Sequence, residues 1–259
     1  NTVDVKAAGE LGITVCNVPL YCVETVAQQA FALLLELCNH TEKISAATRG
    51  GDWDKARTMS HSTHPLFELY GKTLGIVGFG HIGQTVSKLG AALGMKILVY
   101  SRTKRELPER YQWAELDALF KNADVVSLHC PLTDETRGLV NAERLNLMKP
   151  TAFLINTARG AVVDEAALAE ALNSGRIAGA GLDVLVHEPP KKDDPLLTAK
   201  NCIVTPHIAW ASRDARARLI KTVAENLKAF RNGFGLSGRC GGGSIGTPVS
   251  YTHLRAHET

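Results

Sequence analysis

The sequence predicts an α/β protein built on a doubly wound parallel sheet. Three observations carry that expectation. After Gly71, short apolar runs alternate with amphipathic runs of helical length. The short runs are apolar at successive rather than alternate positions, as a sheet covered on both faces requires. Where the first such strand meets the first such helix stands a glycine-punctuated turn, Gly78-Phe79-Gly80-His81-Ile82-Gly83.

Taken in order, the pattern predicts a short helix over residues 3–10 and a strand around 13–17, closed by Pro19. A long helix follows over 24–48. Its apolar positions Val26, Ala30, Leu33, Leu34 and Leu37 recur at spacings of three and four, and Gly50-Gly51 stops it. Residues 52–70 show no clean period and read as a loop crossing between units, of a length that is usually functional or interfacial. Strands are then predicted over 74–78, 97–100, 125–129, 152–156, 178–183 and 203–205. Between them fall helices over 82–93, 116–120, 142–148, 164–173 and 212–230, the alternation of a parallel sheet. Asp164 and Glu165 put carboxylates at a helix start, where the dipole favours them, and Gly175 ends that helix. From Gly233 the chain is rich in Gly and Ser without an apolar period. Its last run, residues 249–259, resembles translated sequencing-adapter read-through, so 233–259 is set aside as a non-native-looking tail.

The chain has 259 residues, 45% hydrophobic and 21% charged, with a formal net charge of +3. This suits one large or two modest globular domains and excludes global disorder. The densest basic cluster, residues 102–105, is broken by Thr103 and followed by Glu106, which argues against nucleic acid as a partner. No apolar run approaches the roughly 18 residues of a membrane span. Asn1-Thr2-Val3-Asp4 has neither an initiator Met nor a signal layout, so the expectation is a cytoplasmic chain that begins mid-protein. Cys16, Cys22, Cys38, Cys130, Cys202 and Cys240 form no C-x-x-C pair and sit mostly in apolar runs, which reads as buried reduced thiols. His61 and His64 lack neighbouring ligand residues and read as a solvated linker rather than a metal site.

The glycine turn carries a specific chemistry. Gly78 permits the sharp turn, Gly80 admits a close backbone approach by a pyrophosphate, and Gly83 lets helix and strand pack closely. The free N–H groups of His81, Ile82 and their neighbours then face the phosphates. A dinucleotide cofactor is the expectation, on the doubly wound architecture known as the Rossmann fold. A ribose-binding carboxylate is expected about 20 residues further on, yet the chain there reads Ser101-Arg102-Thr103. These side chains can donate to a 2′-phosphate that a carboxylate would repel, so NAD or NADP is expected with NADP favoured. The plainer reading, solvated loop residues with NAD still bound, stays open.

Three later segments each follow a predicted strand: Asn156-Thr157-Ala158-Arg159-Gly160, Gly181-Leu182-Asp183-Val184 with His187-Glu188-Pro189-Pro190, and Thr205-Pro206-His207-Ile208-Ala209-Trp210. Open α/β sheets bind ligands at such ends. Arg159 suits a carboxylate and the carbonyl beside it. His207 suits proton delivery, and Glu188 suits support of the imidazolium. Each alone has a plain alternative: a surface ion pair for Arg159, a turn carboxylate for Glu188, a capping ring for His207.

Together, from residue 1 to about 232, these motifs resemble the D-isomer-specific 2-hydroxyacid dehydrogenase family. The resemblance implies a Rossmann sheet plus the remnant of a second, smaller flavodoxin-like substrate domain. On that basis residues 1–22 are the remnant, 23–210 the dinucleotide-binding domain with its crossing helix and dimerisation loop, and 211–232 a return helix. It also implies that Arg159 binds the substrate carboxylate and that Glu188 pairs with the general acid/base His207. Asp183 contacts the nicotinamide carboxamide, while Cys130-Pro131, Thr157 and Ala158 line the cofactor. His207 to Ala211 is similar to the hydroxypyruvate reductase/glycerate dehydrogenase branch, and Trp210 either shapes the pocket or packs at the hinge. A small 2-oxo or 2-hydroxy acid, glyoxylate/glycolate included, is the implied substrate, and residues 52–70 with the helix beside them imply a homodimer. A chain lacking the first half of the smaller domain is expected to bind dinucleotide but turn over poorly. A dinucleotide-binding transcriptional corepressor of the same family, and an inactive fragment, are the competing expectations.

Overall fold

The computed structural model of the chain describes residues 3–56, 60 and 65–232. Helix α1 (Val5–Glu10) starts at Asp4, whose Oδ1 accepts from the Ala7 N–H at 2.9 Å. Where one long helix was expected, the chain forms α2 (Val23–Asn39) and α3 (Thr41–Arg49). The break is His40, at φ 48° in the left-handed region. Beyond it the Glu36 carboxylate accepts from the Glu42 N–H, giving the new helix a cap that the apolar period does not encode. Residues 13–17 do not become a strand. They are extended with a single bridge residue at Cys16, and no ladder is present there among the described residues.

Past the loop come β1 (Thr73–Val77), α4 (His81–Ala92), β2 (Lys96–Tyr100), β3 (Tyr111–Trp113), α5 (Leu116–Asn122), β4 (Val125–Leu128) and α6 (Ala142–Leu147). They are followed by β5 (Phe153–Asn156), α7 (Glu165–Asn173), β6 (Gly179–Leu182), β7 (Cys202–Val204) and α8 (Arg213–Arg231). β3 is an addition to the expected strands, because three residues are too few to show a period. The seven strands pair in parallel in the order β3-β2-β1-β4-β5-β6-β7. The order reverses between β1 and β4, the crevice where such sheets take ligands.

Both faces are covered. Val126, Leu128 and Leu154 pack with Leu119, Phe120, Leu145 and Leu168 on one side. Val125, Phe153 and Ile155 pack with Ala30, Leu34 and Val86 on the other. Residues 52–70 carry neither helix nor strand in their described part, but they are pinned. Phe67 N–H donates to the Cys38 carbonyl and its ring meets Phe153 edge-on at 5.2 Å, while Leu69 is buried. His61, His64, Cys240 and the tail from residue 233 lie outside the described residues. Among the described cysteines only Cys38 and Cys130 are buried, whereas Cys16 is exposed, contrary to expectation. No helix among the described residues is long and apolar enough to cross a membrane. α8 leaves Ile220, Val223, Leu227 and Phe230 exposed along its length.

Helix α2 reaches β6 because β6 lacks side chains there. A Cβ on Gly181 would lie 2.8 Å from the Leu33 Cβ, an atom fixed to the helix backbone. Gly181→Ala is therefore expected to push α2 outward and cost about 1–3 kcal/mol, read as a lowered thermal midpoint; an unchanged midpoint would contradict this packing.

Candidate active site

The glycine turn has the tight packing that its spacing predicts. Gly78 sits at φ 97°, and a Cβ there would come within 2.5 Å of the His129 carbonyl. A Cβ on Gly83 would run into the Gly78 carbonyl oxygen. Gly80 is the N-cap of α4 and makes no side-chain cap hydrogen bond there, so the first turn, which His81 and Ile82 begin, suits an anion. The turn is tied to the next strand by the Gly78 N–H donating to the Tyr100 carbonyl. Ser101, Arg102 and Thr103 follow directly, with Arg102 and Thr103 exposed and Arg102 outside any ion pair among the described residues.

At the ends of β5, β6 and β7 the backbone is held by side-chain oxygens. Asn156 Oδ1 accepts from the Ala158 N–H and its Nδ2 donates to the Arg159 carbonyl, fixing the segment that presents Arg159. Asp183, almost wholly buried, accepts from the Thr205 hydroxyl and from the N–H groups of Ile208 and Ala209. Its own carbonyl receives the His207 N–H at 2.8 Å. These bonds hold His207 at φ 52°, a left-handed conformation uncommon for a residue with a Cβ. The His207 Nδ1 then lies 2.6 Å from Glu188 Oε2, and the Leu185 N–H donates to the other carboxylate oxygen. Cys130 and Pro131 follow β4 at the same edge.

These ends open on one cavity of about 250 Å³. Arg159, His207, Ile82, Thr157 and Ala158 line it from the sheet side, and Asn17 and Tyr21 line it from the segment before α2. Glu188 stands behind the imidazole, and Ser101 to Thr103 lie at the end of β2. Burial pushes the Tyr21 phenol up to about 12 and raises the Cys22 thiol, so both stay neutral at physiological pH. Two observations fit a dinucleotide: a turn in which Gly78 and Gly83 leave no room for a Cβ, and a Thr157 Oγ1 that is buried with no hydrogen-bond partner among the described residues.

The profile of the D-isomer specific 2-hydroxyacid dehydrogenase NAD-binding domain matches residues 31–209. The chain belongs to the D-isomer specific 2-hydroxyacid dehydrogenase family. A hydroxypyruvate reductase of Blautia hydrogenotrophica is 46% identical over 235 residues, covering 90% of this chain and 73% of the relative. A glyoxylate reductase of Korarchaeum cryptofilum is 44% identical over 240 residues, covering 90% and 70%. The crystal structure of a Thermus thermophilus protein, TT0316, superposes with a TM-score of 0.83 at 44% identity, covering 92% of this chain and 74% of that one. An acyclic imino acid reductase in complex with NADPH and D-Arg gives 0.78 at 35%, covering 88% and 72%.

The sequence motifs leave several cavity residues unmarked, Asn17, Tyr21 and His129 among them. Asn17 belongs to a segment read only as a strand. His129 directly follows β4, and its only sequence signal is a polar residue set among buried ones. The His129 Nε2 is 2.8 Å from the Ser127 Oγ, and burial drives the ring down to about 3, so it stays neutral. The unfolded chain takes up this proton near the ordinary value of 6.5. Stability is therefore complete above that pH and is lost as pH falls toward 3, at about 1.4 kcal/mol per pH unit. His129→Gln is expected to flatten the pH dependence of urea unfolding between about pH 6 and 4. An unaltered slope would assign the acid sensitivity elsewhere.

Proposed function

We propose that this chain is the cofactor-binding part of an NAD(P)-dependent oxidoreductase that interconverts a small 2-oxo acid, hydroxypyruvate foremost, and its D-2-hydroxy acid. Residues 23–210 form the dinucleotide domain, while 1–22 and the return helix 211–232 belong to a smaller substrate domain. The exposed apolar stripe of α8 supports that division. The observation carrying the reading is the 2.6 Å pair of His207 and Glu188, set at a cavity that also holds Arg159. Arg159 clamps the substrate carboxylate and polarises the neighbouring carbonyl. His207 gives its proton to the carbonyl oxygen, and Glu188 stabilises the protonated ring and fixes its orientation. The chemistry that a reduced nicotinamide would supply, if held there, is the hydride for C2. In the reverse direction His207 takes the hydroxyl proton.

Gly78, Gly80, Gly83 and the α4 terminus would hold the pyrophosphate, with Cys130, Pro131, Thr157, Ala158 and the remaining acceptor capacity of Asp183 around the nicotinamide end. Ser101, Arg102 and Thr103 favour NADP over NAD, because no carboxylate stands there to repel a 2′-phosphate. The relatives named hydroxypyruvate and glyoxylate reductases, and the neighbour that binds NADPH, agree with this reading. A homodimer through residues 52–70 and α3 is supported by exposed Trp53, Leu66 and Tyr70. A cytoplasmic setting accords with the buried thiols of Cys38 and Cys130.

In the 259-residue chain alone we expect dinucleotide binding with weak turnover, so activity is measured on the complete reading frame that contains it. His207→Gln is expected to lower kcat on hydroxypyruvate about 10³- to 10⁴-fold, and Glu188→Gln by less. Near-normal turnover without the imidazole would remove His207 from the chemistry. The kcat/KM with NADPH is expected to exceed that with NADH by at least about tenfold, and Arg102→Ala to erase the difference; a strong NADH preference in the wild type would contradict the assignment of residues 101–103.

A further inference from the structure

The carboxylate behind the His207 imidazole stands on a loop that loses its apolar anchors just before it. Burial runs unbroken from Gly179 to Leu185, and every residue from Val186 to Pro190 is exposed. Glu188 lies in that exposed stretch, which two carboxylates hold at its start. The Leu185 N–H donates to Glu188 Oε1 at 3.0 Å, and the next N–H, that of Val186, donates to Glu165 Oε1 at 2.7 Å. The peptide between these two amides packs on Gly160, where there is no room for a Cβ. Glu165 opens α7, but the N-cap there is Asp164, whose Oδ1 accepts from the Ala167 N–H. Glu165 reaches instead to a residue 21 positions further along the chain. Burial raises its pKa; the Val186 bond and His187 oppose the rise, and Asp194 and Asp164 add to it. A carboxylate is thus kept at a place that disfavours its charge.

We infer that Glu165 is a positioning residue for the proton transfer: by fixing the Val186 amide it sets the Leu185 N–H that orients Glu188, and through Glu188 the imidazole of His207. This rests on the reductase reading above and adds to it a side chain outside the described cavity lining. The relay is short. Glu188 takes the Leu185 N–H on Oε1, while its Oε2 lies 2.6 Å from His207 Nδ1, so a shift of the 185–186 backbone is felt at the ring. Arg159 has supports of its own, because Asn156 accepts from the Ala158 N–H and donates to the Arg159 carbonyl. Loss of the Glu165 carboxylate therefore leaves the grip on the substrate carboxylate in place and loosens the partner of the general acid. A misplaced acid lowers the rate of the chemical step more than it changes binding.

In the complete enzyme, Glu165→Ala removes the acceptor, and Glu165→Leu fills the space should the alanine variant fold poorly. The expected result is a kcat on hydroxypyruvate about 5- to 30-fold lower, with KM for hydroxypyruvate and Kd for NADPH each within about twofold of wild type. Glu165→Gln keeps a carbonyl acceptor for the Val186 N–H and is expected to return kcat to within about threefold of wild type. On a Glu188→Gln background, Glu165→Ala is expected to lower kcat by no more than about a further twofold, because the group it orients has been replaced. The full fall repeated on that background, or a loss carried by KM, would give Glu165 to the loop at large and overturns the assignment. Failure of both variants to fold, or a lowered thermal midpoint with unchanged kcat, would make it a support of the fold alone and overturns it too. So would a glutamine variant as slow as the alanine one, since charge rather than the acceptor would then matter. A wild type that reduces no 2-oxo acid brings down the reductase reading and this one together, an outcome that no change confined to the variants produces.

Discussion

The buried carboxylate of Asp183 is the interaction on which the rest of the site depends. Its two oxygens accept from one hydroxyl and two backbone N–H groups of residues 205–209, and its carbonyl takes a third N–H, that of His207. So many bonds to so short a stretch leave it one conformation. They make the left-handed φ of His207 tolerable, because a backbone well that is unfavourable in isolation persists when surrounding bonds over-determine it. The Gln29 side chain of α2 adds a bond to the Thr205 hydroxyl. Helix α2 is thereby coupled to the loop that carries the imidazole.

A second set of constraints joins Arg159 to Glu188. The residue after Arg159 is Gly160, and a Cβ there would overlap the backbone of Leu185 and Val186. The same loop is held by Glu165, which accepts from the Val186 N–H at 2.7 Å, and burial raises the Glu165 pKa. The guanidinium and the carboxylate behind the imidazole therefore sit on two segments in direct backbone contact. Arg159, Glu188 and His207 are well separated along the chain and would otherwise be independent in space. The parallel strands β5, β6 and β7 bring the segments that carry them to one edge, and these close contacts set the spacing.

Much of this was legible in the sequence, for reasons that differ by element. Strands β1, β4 and β5 are buried on both faces, so their residues are almost uninterruptedly apolar, and the glycine turn is legible because sterics admit few alternatives at Gly78 and Gly83. The end of α2 was not legible: the break at His40 depends on the Glu36 carboxylate reaching the Glu42 N–H, a detail with no period of its own. β3 is too short to show a pattern, and it exists through pairing with β2 and the edge contact of Trp113 with Phe79. Residues 13–17 have strand composition without a ladder. Asn17 and His129 entered no motif, because their significance lies in what surrounds them.

The lining also fixes how an anion must lie. Around the cavity Tyr21 and Cys22 are held neutral by burial, and so is His129, while no Asp or Glu is among the described lining residues. Arg159 is the one permanently charged side chain in that described lining. In a partly dry site one guanidinium among neutral groups gives a carboxylate a single favourable end, since the field is stronger there than in water. On the proposed reading, a carboxylate held by Arg159 would set its adjacent carbonyl toward His207, which lines the same cavity. Neutrality of the other side chains is thus as much a part of the site as the charge of one.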